Sequence, residues 1–246
     1  MQLSQNEKKV FFLGTFLFVV VIVFAFLAAC PAAHGQEVNM NQPSADIVDK
    51  GHLFARSDSF YTQSDVPGAE HLWGTANFAY GLGHNFEVSL NGSDIYHSAD
   101  QWQVVPGFKY APVKTKNFEI YVGDQFYKVV GNVQAFHNGN VTYEAAAVKV
   151  GDFRFTGGSF QSVNAYALGN RAGAIGGVEY NFKPMYHGWM FGTGVDYASG
   201  AGTNGYTSPG VMFSKKNFFI SPGYMIANPH NPNGAHQTFI MIGDTF

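Results

Sequence analysis

From Gln101 to Tyr127 the chain alternates in side-chain character with a period of two, a pattern that only extended strands with two unlike faces can use. Trp102, Val104, Phe108 and Tyr110 alternate with Gln101, Gln103, Gly107 and Lys109. After the basic turn Pro112-Val113-Lys114-Thr115-Lys116-Asn117, Phe118, Ile120, Val122 and Phe126 alternate with Glu119, Tyr121, Gly123 and Gln125. Successive side chains of a strand point to opposite sides, so one face of this hairpin is apolar and the other carries ionisable groups. Two residues disturb the pattern. Pro106 removes a ladder donor. Asp124 falls on the apolar face, so that arm must either reach headgroup level or shift phase through a bulge.

The same pattern runs from His52 to the end, broken by Gly, Pro, Asn and Asp, with no helical period long enough to require a helix. The expected strands are 52–62, 70–80, 85–95, 101–111, 117–128, 141–150, 153–161, 171–182, 188–198, 205–214, 217–226 and 236–246. Their usual length suits the ~9 to 11 residues that a tilted strand needs to cross hydrocarbon, and exceeds the ~5 to 6 of soluble strands. Short connections (81–84, the Lys114 turn, 151–152, 183–187, 215–216) alternate with longer ones (63–69, 96–100, 129–140, 162–170, 199–204, 227–235). An antiparallel up-and-down transmembrane barrel of about twelve strands has this organisation, with tight turns on the periplasmic side and longer loops outside.

Composition agrees. Only 13% of residues are charged, against about 25% in ordinary soluble domains, yet mean hydropathy is near zero. A barrel needs charge only in its lumen and loops. The mild acidic excess, net −3, excludes nucleic acid as an expected partner.

Residues 1–35 read as a signal peptide: Lys8 and Lys9 precede the apolar run Val10 to Ala29, and small residues follow. Two cleavage sites fit. Leu27-Ala28-Ala29-Cys30 would lipidate Cys30, whereas Ala33-His34-Gly35 would release a chain starting at Gln36. The second is favoured because a barrel already has its membrane contact. Retention of the run as a permanent inner-membrane helix is a third possibility. Cys30 is the single cysteine, so no intrachain disulfide can form. Residues 36–51 lack periodicity and read as a flexible periplasmic lead-in that could equally cap or plug the lumen. Residues 52–246 are the barrel.

Aromatics frame the short turns: Phe78, Tyr80 and Phe86; Phe108, Tyr110 and Phe118; Tyr180, Phe182 and Trp189; Phe213 and Phe218. Such a ring is an interfacial girdle. The alternative is a soluble sandwich with core aromatics beside its turns, but sandwich strands are shorter. The chain ends Phe239-Ile240-Met241-Ile242-Gly243-Asp244-Thr245-Phe246. On Phe246, Ile242 and Ile240 it resembles bacterial outer-membrane β-barrel proteins, which commonly finish on a C-terminal Phe used as an assembly signal. Asp244 departs from that pattern. The resemblance implies a Gram-negative outer membrane, contact with its lipid and a role for Phe246 in recognition by the barrel assembly machinery.

With the apolar face toward lipid, the interior is expected to hold Arg56, Asp58, Asn77, Glu87, Lys109, Glu119, Gln125, Glu144, Arg154, Arg171, Glu179, Asn181 and Asp196, joined by Tyr121, Tyr127 and Trp73. In an open bore the charges orient and screen solutes; in a filled bore they pair and hold it shut. Inward glycines (107, 123, 158, 173, 177, 192, 194, 223) either widen the passage or serve strand curvature and close aromatic packing. Twelve strands should leave a narrow bore.

No catalytic motif emerges. The His-x-Ser-Asn-Gly pattern of outer-membrane phospholipases is missing, and His97-Ser98 near Ser93-Asp94 is its nearest approach. There is no His-Glu-x-x-His and no Gly-x-Ser-x-Gly. His230 and His236, with His97 or His137, make a weak metal candidate. The expected function is a porin-like channel for small hydrophilic solutes, with no cofactor, metal or enzyme activity. In architecture it resembles nucleoside-specific channels and acidic-sugar porins. The latter line their bore with Arg, whereas this interior is mixed and slightly acidic, which favours neutral or cationic solutes. Tyr121, Tyr127 and Trp73 offer either stacking surfaces or lumen filler. The alternatives are a non-conducting anchor or interaction platform, and a lipid-modifying enzyme.

Overall fold

The structure is a computed structural model that describes residues 46–63, 71–93, 102–130, 138–164, 171–199, 205–228 and 235–246. The expected signal peptide, residues 1–35, and residues 36–45 lie outside that set. Twelve strands follow in order: β1 (Leu53–Thr62), β2 (His71–Gly83), β3 (Phe86–Ser93), β4 (Trp102–Lys114), β5 (Phe118–Val130), β6 (Gly139–Val150), β7 (Phe153–Val163), β8 (Arg171–Pro184), β9 (Met190–Ala198), β10 (Tyr206–Lys215), β11 (Phe218–Ala227) and β12 (Gln237–Thr245). Each strand pairs antiparallel with its sequence neighbour, and β1 pairs with β12 from Phe54↔Thr245 to Thr62↔Gln237. The sheet is therefore a closed up-and-down barrel, and the twelve expected segments match the twelve strands to within a few residues.

Local chemistry explains the short-turn end. His84 and Asn85 both take positive φ (54° and 59°), the geometry of a two-residue hairpin whose twist matches its strands. Gly151 (φ 62°) and Lys216 (φ 55°) occupy the corresponding places at β6–β7 and β10–β11. The β4–β5 turn closes through Thr115, whose Oγ1 donates to the Phe118 carbonyl while accepting the Phe118 N–H. A single 3-10 turn, Tyr186–Gly188, bridges β8 and β9. Register shifts fall near this end, between Gly81 and Gly83, Tyr110 and Val113, and Tyr180 and Lys183. The two closing strands meet here too: Leu53 and Phe246 exchange both backbone hydrogen bonds.

Outward aromatics gather at the same level. Phe86 stacks near Phe108 (5.9 Å between centroids), Phe153 meets Tyr180 edge-on (5.1 Å) and Trp189 meets Phe218 (6.4 Å). The Phe182 side chain lies outside the described set. Above this girdle the outer face continues as Val88, Leu90, Ile120, Val178, Val195, Ile240 and Ile242.

Inside, the barrel is more apolar than the sequence reading assumed. Phe54, Phe60, Tyr206, Met212, Phe219, Met225, Phe239 and Met241 point inward from β1 and β10–β12 and form one buried cluster with Val48 and Ala79. Four aromatics lie across the ladder from a glycine: Tyr143 from Gly123, Phe160 from Gly173, Phe239 from Gly223 and Phe219 from Gly243. A Cβ added at any of these glycines would penetrate the facing ring. These inward glycines serve close aromatic packing and leave no local widening at those points. Gly223→Val should accordingly lower the urea midpoint of the lipid-inserted barrel by the equivalent of about 1–3 kcal/mol. Gly157→Val, on the outer face where nothing lies within 4 Å of a new Cβ, should leave it unchanged or higher. Equal losses at both positions would contradict the glycine–ring account.

Candidate functional site

Register and burial together assign each strand position to a face. Arg56, Asp58, Glu87, Lys109, Glu119, Tyr121, Gln125, Arg154, Glu179 and Asp196 lie on the inner face, as do Asn77, Trp73 and Tyr127. Arg171 stands opposite Ser162 in register, but its side chain, like that of Asn181, is outside the described residues. Glu144 is a correction. It faces outward and is solvent-exposed, and its Oε1 accepts a hydrogen bond from Ser159 (3.2 Å). The phase of β6 is set by Tyr143 and Lys149, which point inward with Val141, Ala145 and Ala147. Asp124 also stays on the outer face, with no phase shift beside it. It accepts from Thr142 (3.0 Å) and from Asn140 (3.3 Å to each oxygen).

Two groups of inner charges form. In the first, Arg56 Nε lies 2.8 Å from Asp58 Oδ1, and Asp58 Oδ2 accepts from Thr75 (2.8 Å) and Asn77 (2.9 Å). Arg56, Thr75, Asn77, Ser89, Asn91, Gln125 and Tyr127 remain partly exposed, so water reaches this wall of β1–β5. The second group sits at the short-turn end and is organised by residues that lack any periodic signal.

Asp46, Ile47 and Val48 enter the barrel and are held at several points. Val48 N–H donates to Glu87 Oε2 (2.8 Å), and Lys109 Nζ donates to the Asp46 carbonyl. Arg154 Nη1 lies 3.4 Å from Asp46 Oδ1, while its Nη2 lies 3.3 Å from Glu119 Oε2. Lys109 also pairs with Glu87 at 3.0 Å. Ile47 packs into a second buried cluster with Ala111, Tyr121, Val141, Tyr143 and Phe160, and Val48 packs into the first. Below them Lys50 forms a parallel bridge to Gly81, whose missing Cβ leaves room for the Val48 and Asp49 carbonyls. Of the two roles open to the lead-in, this part of it occupies the lumen.

The remaining candidates divide simply. Tyr121 is fully buried and edge-on to Tyr143 (6.4 Å), and Trp73 stacks on Phe60 (4.1 Å); both act as filler here. His236 accepts the Ala227 N–H on Nδ1 (3.2 Å). His97, Ser98, His137 and His230 lie outside the described residues.

Burial pushes the Asp46 carboxyl up to about 6 from 3.8. Glu87 adds to the rise, while Lys149, Lys109 and Lys114 oppose it. The docked lead-in thus binds a proton more tightly than a released one. Docking should be strongest in acid, weaken as pH rises from the ordinary carboxylate range to about 6, and level off above. A nitroxide on Asp49→Cys, in a Cys30→Ser background, should report this as growing mobility across that window. Asp46→Asn should flatten the profile, and a pH-independent spectrum from the unsubstituted segment would refute the assignment.

Comparison with known proteins places the fold. No protein-family model matches the sequence, and no curated protein matches it. Among solved structures, the KdgM porin superposes with a TM-score of 0.50 at 12% identity, covering 78% of this chain and 99% of that one. The same porin in complex with disordered oligogalacturonate gives 0.50 at 13% identity, covering 78% and 98%. LpxR from Salmonella typhimurium gives 0.43 at 9% identity, covering 79% and 99%. The chain has the fold of a porin-like outer-membrane β-barrel of twelve strands.

Proposed function

We propose that this protein is a narrow outer-membrane channel for passive diffusion of small hydrophilic solutes. The observation that carries the reading is the uneven interior. Apolar packing from β10–β12, joined by Phe54 and Phe60 of β1 and Ala79 of β2, fills one side, whereas on β1–β5 Arg56, Thr75, Asn77, Ser89, Asn91 and Gln125 remain partly exposed. A polar track beside a filled half gives a bore set by a few side chains, where charge and hydrogen bonding select what passes. The KdgM porin is seen in complex with disordered oligogalacturonate, a polyanion, but the described inner charges here mix Arg56, Lys109, Lys149 and Arg154 with Asp58, Glu87, Glu119, Glu179 and Asp196. That mixture suits neutral or cationic solutes better than polyanions. Export through the 1–35 leader, insertion among outer-membrane lipid and recognition of Phe246 during assembly belong to the same reading.

A non-conducting barrel that serves as an anchor is the second reading. It draws on the short-turn mouth, which Asp46–Val48 occupies, and on the near-complete burial of Arg154, Glu179 and Asp196. Planar-bilayer recording separates the two. The refolded protein should show small, stable openings, and Arg56→Glu should shift its reversal potential toward cations. A correctly inserted but silent barrel would favour the anchor. Conductance with selectivity unmoved by Arg56→Glu would take the path off the β1–β5 wall.

A further inference from the structure

Glu87, Lys109 and Arg154 grip the lead-in by groups that any peptide carries, together with one acidic side chain. In an extended chain the carbonyl of residue i and the N–H of residue i+2 project to the same side. Here the Asp46 carbonyl meets Lys109 and the Val48 N–H meets Glu87, so the Lys109–Glu87 pair engages the carbonyl and N–H that an extended tripeptide turns to one side. Arg154 adds a cation for the first side chain. The next two side chains enter separate apolar clusters, Ile47 beside Ala111 and Tyr121, and Val48 beside Phe54 and Ala79.

We infer that this cradle is a binding station for short extended peptides with an acidic residue followed by two aliphatic ones, and that Asp46-Ile47-Val48 occupies it as an internal ligand. The station names a solute class for the proposed channel and rests on that reading for passage alone; binding itself does not require an open bore. With the lead-in docked, a free peptide meets only the fraction of molecules whose cradle is empty, so its apparent affinity falls by that fraction. Displacing the lead-in restores it.

The test is calorimetric titration of the refolded full chain with acetyl-Asp-Ile-Val-amide. Two substitutions displace the lead-in by independent means. Val48→Pro removes the N–H given to Glu87 without altering the barrel wall, and Gly81→Ala puts a Cβ against the Val48 and Asp49 carbonyls. Both should keep heat-modifiable gel mobility, mobilise the Asp49→Cys nitroxide and bind the peptide at least about tenfold more tightly than the unsubstituted chain. Adding Arg154→Gln to Val48→Pro should remove the gain, as should replacing the peptide's Asp by Lys. The inference fails if neither displaced variant binds the peptide, or if the Lys-containing peptide binds as well. It fails too if the lead-in stays docked in both variants, because the contacts named would then not be what holds it. Peptide binding by a barrel that is silent in bilayers would sink the channel and leave the station standing.

Discussion

Every backbone amide in a membrane must find its partner within the protein, and closure of β1 onto β12 is what makes this possible here. An open twelve-stranded sheet would expose two edges to hydrocarbon, each with a row of unpaired N–H and C=O groups at a cost of several kcal/mol apiece. The pairs from Phe54↔Thr245 to Thr62↔Gln237 remove both edges at once. The exchange between Leu53 and Phe246 then fastens the end of the chain to the start of the barrel. With the ladder closed, each position has a fixed face, and the outer apolar band and the inner charges follow.

Closure also creates an interior that must be filled or hydrated. The chain does both, in different halves. Rings set over cross-strand glycines, together with the three inward methionines of the first cluster, build a dense packing against β10–β12. The charged residues near the short turns are buried and therefore need partners, which they find in Glu87–Lys109 and Glu119–Arg154. Among the described residues, the β1–β5 wall keeps a run of polar groups partly exposed, from Arg56 and Asn77 to Gln125. The difference between a plugged barrel and a channel is thus local, because it depends on what stands between that wall and the packed half.

Much of this was legible in the residues. Period-two segments separated by alternating short and long connections have few other solutions, and the twelve strands fell where they were expected. Which face points inward is a harder inference, because alternation defines two faces without naming either. Where one face held charge and the other large apolar groups, as in β4 and β5, the assignment was correct. In β6 both faces are mixed: Tyr143 and Lys149 share one, Glu144 and Val148 the other. Placing Glu144 inside chose the wrong one of these two mixed faces. The inward rings Phe219 and Phe239 were missed for a related reason, since each faces a glycine on the next strand, Gly243 and Gly223, and the match exists only in register; Phe54 and Phe60 stack instead on Phe219 and Trp73. The docking of Asp46–Val48 left still less trace. Its contacts are backbone groups, the Asp46 carboxylate and two aliphatic side chains in a stretch without periodicity, and the sole local sign is a glycine at position 81.

Whether the inserted segment is a permanent part of the core or a removable one depends on what its departure would leave behind. A buried ion pair broken on one side is strongly destabilising because the other charge is stranded. That does not happen here. Without Asp46, Lys109 still has Glu87 at 3.0 Å and Arg154 still has Glu119 at 3.3 Å, so the wall keeps its charges paired. The segment itself gives up the burial of Ile47 and Val48, roughly 3–6 kcal/mol together, and three hydrogen bonds to Glu87, Lys109 and Arg154 at about 1.5–3 kcal/mol each. It regains the conformational freedom of residues 46–50, about 1–2 kcal/mol per residue. These amounts balance to within a few kcal/mol. The lead-in is therefore poised rather than locked, and a modest change in the protonation of Asp46 or in competing ligand is large enough to move it.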